Sequence, residues 1–165
     1  MERLAAGARP EGIQGIFLGV MDGIIHALSI ITGLQVLGNR TVVFIGLVVA
    51  GLADALANAA GFHVQEESEE LHSRAEVWKG TALCFLATGA TFTLIAIPVL
   101  LFPLGVAIHL NWGLGFALLV AMGLGVDRGQ PLRRRAKRVA EYVVMGAAAA
   151  LLCYWMGRLA KAIIQ

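Results

Sequence analysis

Two carboxylates, Asp22 and Asp54, stand inside long uncharged stretches, and each heads a polar stripe at helical spacing. Asp22, His26, Ser29 and Gly33 form one stripe, and Asp54, Asn58, Gly61 and Gln65 form the other. Carboxylate and amide oxygens are hard ligands, while imidazole suits borderline ions such as Fe(II), Co(II), Ni(II) and Zn(II). The mixture therefore accepts a divalent transition ion or Mn(II) without selecting one by composition. A carboxylate in a low-dielectric site also takes up and releases protons, which offers a means of coupling. Directly after the second stripe comes QEESEELHSRAEVWK, with Glu66, Glu67, Glu69, Glu70, His72 and Glu76. A charge run at a helix end is an ordinary solvated cap, and this one has no closed-site metal motif. Its position beyond Asp54 and Asn58 adds a second reading, in which it concentrates cations at the mouth of a path.

Those residues need elements that carry them, and the composition says which kind. The chain has 165 residues, 58% hydrophobic, 15% charged, with 20 glycines, and a mean hydropathy of +0.77. A soluble domain carries about 25% charged residues, so the chain is expected in a membrane. Disorder is excluded by the same abundance of apolar residues. The net charge of +2 would suit nucleic acid only with a basic or aromatic-interleaved patch, and none is present. A hydrocarbon layer about 30 Å thick asks for about 20 apolar residues per helix. Five spans meet that demand, at 12–36, 42–65, 79–101, 106–126 and 138–160. The uncharged run 80–126 is too long for one helix, and Pro98, Pro103, Gly105, His109, Asn111 and Trp112 mark a turn near its middle. The expectation is one all-α transmembrane domain over 1–165, a multi-pass protein of the cell membrane.

Basic residues set its orientation. With the N-terminus cytoplasmic, the inner side receives Arg3, Arg9, Arg74, Lys79, Arg128, Arg133, Arg134, Arg135, Lys137 and Arg138. The outer side receives Arg40, Arg158 and Lys161. Ten of the thirteen basic groups then lie inside, as the positive-inside rule requires. A helix rise of 1.5 Å per residue puts Asp22 about 15 Å from the inner end of span one and Asp54 about 16 Å from that of span two. Both acids are thus expected near the bilayer midplane, where a carboxylate is costly and marks an ion path or a partner.

The remaining polar and small residues sort as follows. Cys84 and Cys153 lie far apart in apolar segments and are expected as buried thiols. The mixed charge of MERLAAGARPEGIQG speaks against a cleaved signal peptide. His26 and His63 fall at different depths and His109 near the opposite surface, so no bis-histidine haem is expected. Tyr142 and Met145 are packing residues with room to line a path. Gly15, Gly19 and Gly23, with Gly46, Gly51, Ala55 and Ala59, offer small faces for close helix approach, either within the chain or against a second copy.

Taken together, the sequence resembles the vacuolar iron transporter family, which includes the yeast calcium-sensitivity-complementing manganese and iron transporters. The resemblance rests on D22-G-I-I-H-A-L-S-I-I-T-G33, A53-D-A-L-A-N-A-A-G61 with the acidic segment after it, I97-P-V-L-L-F-P103 and Y154-W-M-G-R158. It runs over nearly the whole chain. It implies a homodimer with the ion pathway between subunits, exchanging cytoplasmic Fe(II) or Mn(II) for protons. Asp22 would then be the membrane aspartate of the first helix, and the acids after Gln65 would begin metal capture. Asn58 stands where the family commonly has methionine, replacing a soft thioether by a hard amide. The long inserted metal-binding region of plant-type members is absent, leaving capture to Glu66–Glu76.

The function expected is secondary transport and not enzymatic catalysis: a homodimer in the bilayer moves Fe(II), Mn(II), Co(II), Ni(II) or Zn(II) out of the cytoplasm against protons. The metal is cargo, and no resident cofactor is expected. Asp22, His26, Asp54 and Asn58 would hold it, fed by Glu66, Glu67, Glu69, Glu70, His72 and Glu76. Two rivals stand beside this: a proton-coupled exporter of organic cations, which needs an aromatic-lined cavity, and a structural membrane protein whose acids only bond neighbouring helices.

Overall fold

A computed structural model of the chain describes residues 11–69, 71–126 and 129–164. It is all-α: α1 (Glu11–Leu34), a 3-10 turn (Gln35–Leu37), α2 (Arg40–Glu69), α3 (Arg74–Leu101), α4 (Leu104–Gly125) and α5 (Leu132–Ile164). Each of the five helices is long and apolar enough to cross a membrane. They occur where the five spans are expected, with α2, α3 and α5 running several residues past those bounds because their polar ends continue the helix.

Turn chemistry sets the breaks. Gly38 takes φ +66, open to a residue without Cβ, and its N–H bonds the Gln35 carbonyl at 2.9 Å. Asn39 then starts α2, its side-chain oxygen accepting from the Thr41 and Val42 amides at 2.9 and 3.2 Å. Ser73 and Glu76 form a reciprocal capping box at the head of α3. Pro103 separates α3 from α4 inside the long uncharged run. The bundle has two ends: the Gly38 end, with the α1–α2 and α3–α4 turns, and the glutamate end, with the α2–α3 and α4–α5 connections.

Helix α1 is central. Ile24, Ala27, Leu28 and Ile31 are fully enclosed. Ala27 and Ile31 pack with Val43 and Leu47 of α2, Phe92, Ile95, Ala96 and Val99 of α3, and Ala107 of α4. Ile24 and Leu28 meet Leu119 of α4, with Tyr142 and Val143 of α5 beside them. Tyr142 thus belongs to the packing, and Met145 is exposed.

The glycine stripe of α1 is occupied within the chain. Gly15 abuts the Gly80 backbone, Gly19 the Cys84 carbonyl and Gly23 the Thr88–Thr91 turn, all on α3. Of the two uses expected for this face, close packing inside the protomer is the one observed, which leaves that face closed to a second copy. Further along α1, Gly33 lies against Cys153 and Gly157 of α5.

Three basic side chains cap helix C-termini across the bundle, where carbonyls lack intrahelical partners and the helix dipole is negative. Arg40 donates to the Leu100 carbonyl at 2.9 Å. Arg135 donates twice to that of Leu124, at 3.1 and 2.6 Å. Lys161 donates to that of Val36 at 2.9 Å. The topological reading of these residues is therefore incomplete, because each also closes a helix end.

Candidate metal centre

Helices α1 and α2 run antiparallel around the Gly38 turn, so residues at equal distance from the turn lie at equal depth. Asp22 and Asp54 meet that condition, and their side chains converge. The His26 Nδ1 is 2.7 Å from Asp54 Oδ1 and 3.2 Å from Asp22 Oδ2. Asp22 and His26 are one helical turn apart, and Asp54 closes the group from the opposite helix. The Asn58 amide, one turn along α2 from Asp54, donates to Asp22 Oδ2. All four sequence-selected residues of the two stripes thus share one centre. Ser29 turns its hydroxyl back to the Ile25 carbonyl at 2.7 Å and contributes no ligand atom.

One oxygen or nitrogen from each of Asp22, His26 and Asp54 lies within 4.8 Å of the others, the group among the described residues able to offer three ligands to one ion. Tetrahedral sites with bonds near 2.1 Å hold their ligands about 3.4 Å apart. Separations of 2.7 and 3.2 Å are those of hydrogen bonds. Small outward shifts would make room for an ion. Nδ1 faces two carboxylates, and the ring tautomer protonated there donates to Asp54 and, more weakly, to Asp22. A cation coordinated by that nitrogen must displace the proton, since metal binds only deprotonated ligands. Proton and metal are therefore alternative occupants of that nitrogen, the displaced proton passing to solvent from an imidazolium or to Nε2 in a neutral ring.

The centre opens to one side. The His26 side chain is 48% exposed, that of Asp22 27% and that of Asp54 16%. His26 and Asp54 border a groove of about 460 Å³, lined also by Ser29, Ile30, Ala50, Ala53, Ala57 and Cys153. Cys153 corrects an expectation: it is only half-buried and lines the groove, whereas Cys84 is fully buried. The reason is the close approach of α5 to Gly33, which brings Cys153 to the edge of α1 instead of into its own core.

The acidic segment is divided. Glu66 is 2% exposed and its carboxylate is 2.9 Å from Nδ1 of His72, itself 15% exposed. Glu67 is exposed and 3.9 Å from Nε2 of His63. The Thr81 hydroxyl donates to the Val77 carbonyl at 2.8 Å, so it accepts from Nδ1 of His63 at 3.0 Å, and that ring rests on Trp78. Glu76 serves as the α3 cap. Glu69 is exposed. Glu70 lies outside the described residues, as do Arg3, Arg9 and Arg128 of the charge count. The segment is about 18 Å along α2 from Asp54, taking 1.5 Å per residue from Asp54 to Glu66. No three of its described side chains meet as a ligand group.

The Glu66–His72 pair closes the α2–α3 connection onto the bundle. Glu66→Ala is expected to lower stability by about 2 kcal/mol, through the space left by a side chain that is fully enclosed. Co(II) affinity at the distant Asp22 centre should be unchanged. Thermal unfolding in detergent, followed with and without Co(II), measures both.

Comparison with protein-family models, with curated proteins and with solved structures returns no match.

Proposed function

We propose that this chain is a secondary transporter that exchanges divalent transition-metal cations for protons. The observation that carries the reading is the convergence of Asp22, His26 and Asp54, three ligand-bearing side chains within 4.8 Å, on helices of membrane-spanning length. A metal ion taken up by His26 Nδ1 displaces any proton there, and an imidazolium or a protonated carboxyl in this group would release that proton on metal entry, which is the coupling that exchange requires. The resemblance to vacuolar iron transporters, carried by the motifs around Asp22 and Asp54, points the same way. Fe(II) and Mn(II) are the cargo it implies, and the oxygen-rich donor set with one imidazole also suits Co(II), Ni(II) and Zn(II).

The working unit is a homodimer in the cell membrane. Hydrocarbon is a poor neighbour for a half-exposed imidazole between two carboxylates, and a second copy across the groove would cover it and provide a path between subunits. The excess of Lys and Arg at the glutamate end puts that end in the cytoplasm. The exposed Glu67 and Glu69 would then attract cations at the entrance, and protons from the other side would release the ion. An organic-cation exporter has less support, because the groove residues include no Phe, Tyr or Trp.

Full-length protein in liposomes, assayed for proton flux driven by Fe(II), Mn(II), Co(II), Ni(II), Zn(II) and Mg(II), tests the proposal. Transition ions are expected to drive flux and Mg(II) is not, and Asp22→Asn is expected to reduce it at least tenfold. Asn58→Met should move preference toward softer ions, since a thioether replaces an amide beside Asp22. Metal flux undiminished in Asp22→Asn would sink the assignment.

A further inference from the structure

A hollow separate from the metal groove lies at the Gly38 end. It measures about 490 Å³ and is lined by Gln35, Val36, Tyr154, Arg158, Lys161 and Ala162, between the end of α1 and the last turns of α5. Two of these side chains are cations and two more, the Gln35 amide and the Tyr154 hydroxyl, can donate hydrogen bonds. The Arg158 guanidinium is held toward Tyr154, with Nη1 at 3.3 Å from the hydroxyl and the cation 5.9 Å from the ring centre. Lys161 spends one N–H on the Val36 carbonyl, and an ammonium has three.

Among the described residues, no Asp or Glu stands near these cations. Segments 30–53, 94–126 and 142–164, which make up this end of the bundle, contain no Asp or Glu. A second copy packed in parallel would bring the same acid-free segments, so a dimer does not supply the missing charge. An anion bound here would come from outside these segments.

The adjoining surface says which kind. A second cavity of about 230 Å³ shares Val36 and Lys161 with the first and is otherwise lined by Gly33, Leu34, Leu37, Gly157, Ala160 and Ile164. Its wall is apolar apart from the lysine. It lies beside the crossing of α1 and α5, where Gly157 abuts the Gly33 backbone. Tyr154 and Trp155 stand at the same level of α5, and aromatic residues of this kind gather at the headgroup level of a bilayer. A cationic hollow at headgroup depth, continuous with an apolar cleft running into the helix seam, matches an amphiphile with an anionic head.

We infer that this end of the α1–α5 seam binds an anionic phospholipid, its phosphate held by Arg158 and Lys161 and an acyl chain lying in the Gly33–Gly157 cleft. Guanidinium is the group suited to phosphate, through paired N–H donors, and the lysine adds a second charge. The bound lipid would tie the C-terminal turns of α5 to the end of α1, the seam that also carries the edge of the metal groove at Cys153.

Purified full-length protein in a neutral detergent can be titrated with phosphatidylglycerol, phosphatidylcholine and inorganic phosphate, with retained lipid read by native mass spectrometry and the thermal midpoint followed in parallel. Phosphatidylglycerol is expected to be retained and to raise the midpoint, with phosphatidylcholine bound at least about threefold more weakly. Arg158→Gln should lose that preference. It touches no backbone cap, so it stays informative even if Lys161→Gln, which removes the Val36 bond, fails to fold. Equal retention of the two lipids, or undiminished preference in Arg158→Gln, would overturn the anionic-lipid site. A midpoint shift by inorganic phosphate as large as that by phosphatidylglycerol would overturn the acyl-chain contact.

Discussion

Asp54→Asn should leave the protein as stable as the native chain, or more so, while costing more than about 100-fold in metal affinity. The scale follows from metal sites in general, where loss of an outer-shell partner alone costs 10–100-fold, and Asp54 is in the ligand set itself. Stability moves the other way for two reasons. The asparagine oxygen can still accept from His26 Nδ1, now 2.7 Å from Asp54 Oδ1. Removing a carboxylate from mid-membrane depth also relieves a desolvation cost. Co(II) titration and thermal unfolding of the same preparation decide the matter. A structural role for the acids predicts the opposite pair of results, a lower midpoint with little change in whatever metal binding exists. Buried acids that only join helices are kept for the bond they make. Acids kept for a cargo impose a cost that their removal reveals.

The meeting of Asp22 and Asp54 was legible from depth alone. Two helices joined by a tight turn must present residues equidistant from it side by side, and counting at 1.5 Å per residue is enough. The azimuth was partly legible too, because Asp22 with His26 and Asp54 with Asn58 share a face by helical spacing. What counting could not supply is which atoms pair: His26 engages Asp54 across the seam and Asn58 engages Asp22, a crossed arrangement that depends on the rotation of the two helices.

The acidic segment shows the reverse case, where charge type was read before helical phase. Val43, Leu47, Gly51, Ala55, Ala59 and Phe62 form the buried stripe of α2, and Glu66 is the next residue on it. Spacing of three and four residues carried through the polar end would have put Glu66 inside and Glu67 and Glu69 outside, as observed. Its partner His72 could not be anticipated the same way, since it lies beyond the helix in a connection without periodicity. Cys153 repeats the lesson. Gly146 and Ala150 are buried on α5, and Cys153 and Gly157 continue that face toward α1, so the thiol was placed by the glycine pair it sits beside and not by the hydrophobicity of its segment.

Gly15→Ala and Gly19→Ala are expected to be the most destabilising single-methyl additions in α1, at about 3 kcal/mol each, the upper range for overpacking. A Cβ at Gly19 would lie 2.5 Å from the Cys84 carbonyl oxygen and 2.9 Å from the Thr88 hydroxyl, and one at Gly15 would run into the Gly80 carbonyl. The obstacle in both is backbone, which cannot swing aside as a side-chain end can. To relieve it α1 must move from α3, and α1 is the helix that all the others pack around. Gly23 is two turns from Gly15 on the same face, yet its nearest neighbour is the Thr91 Cβ at 3.0 Å, so Gly23→Ala should cost less. Gly113 is exposed on α4 with no heavy atom within 4 Å, and Gly113→Ala should be neutral or slightly stabilising through helix propensity. Thermal midpoints of the four variants in one detergent measure the series. A uniform response would mean that glycine is kept for flexibility. The graded order expected, with Gly15 and Gly19 worst and Gly113 harmless, would mean that it is kept for distance. In a membrane helices gain little from hiding apolar surface against one another, so stability depends on how closely backbones approach. The α1–α3 contact that these two glycines permit also holds Asp22 and His26 at the depth where Asp54 can reach them.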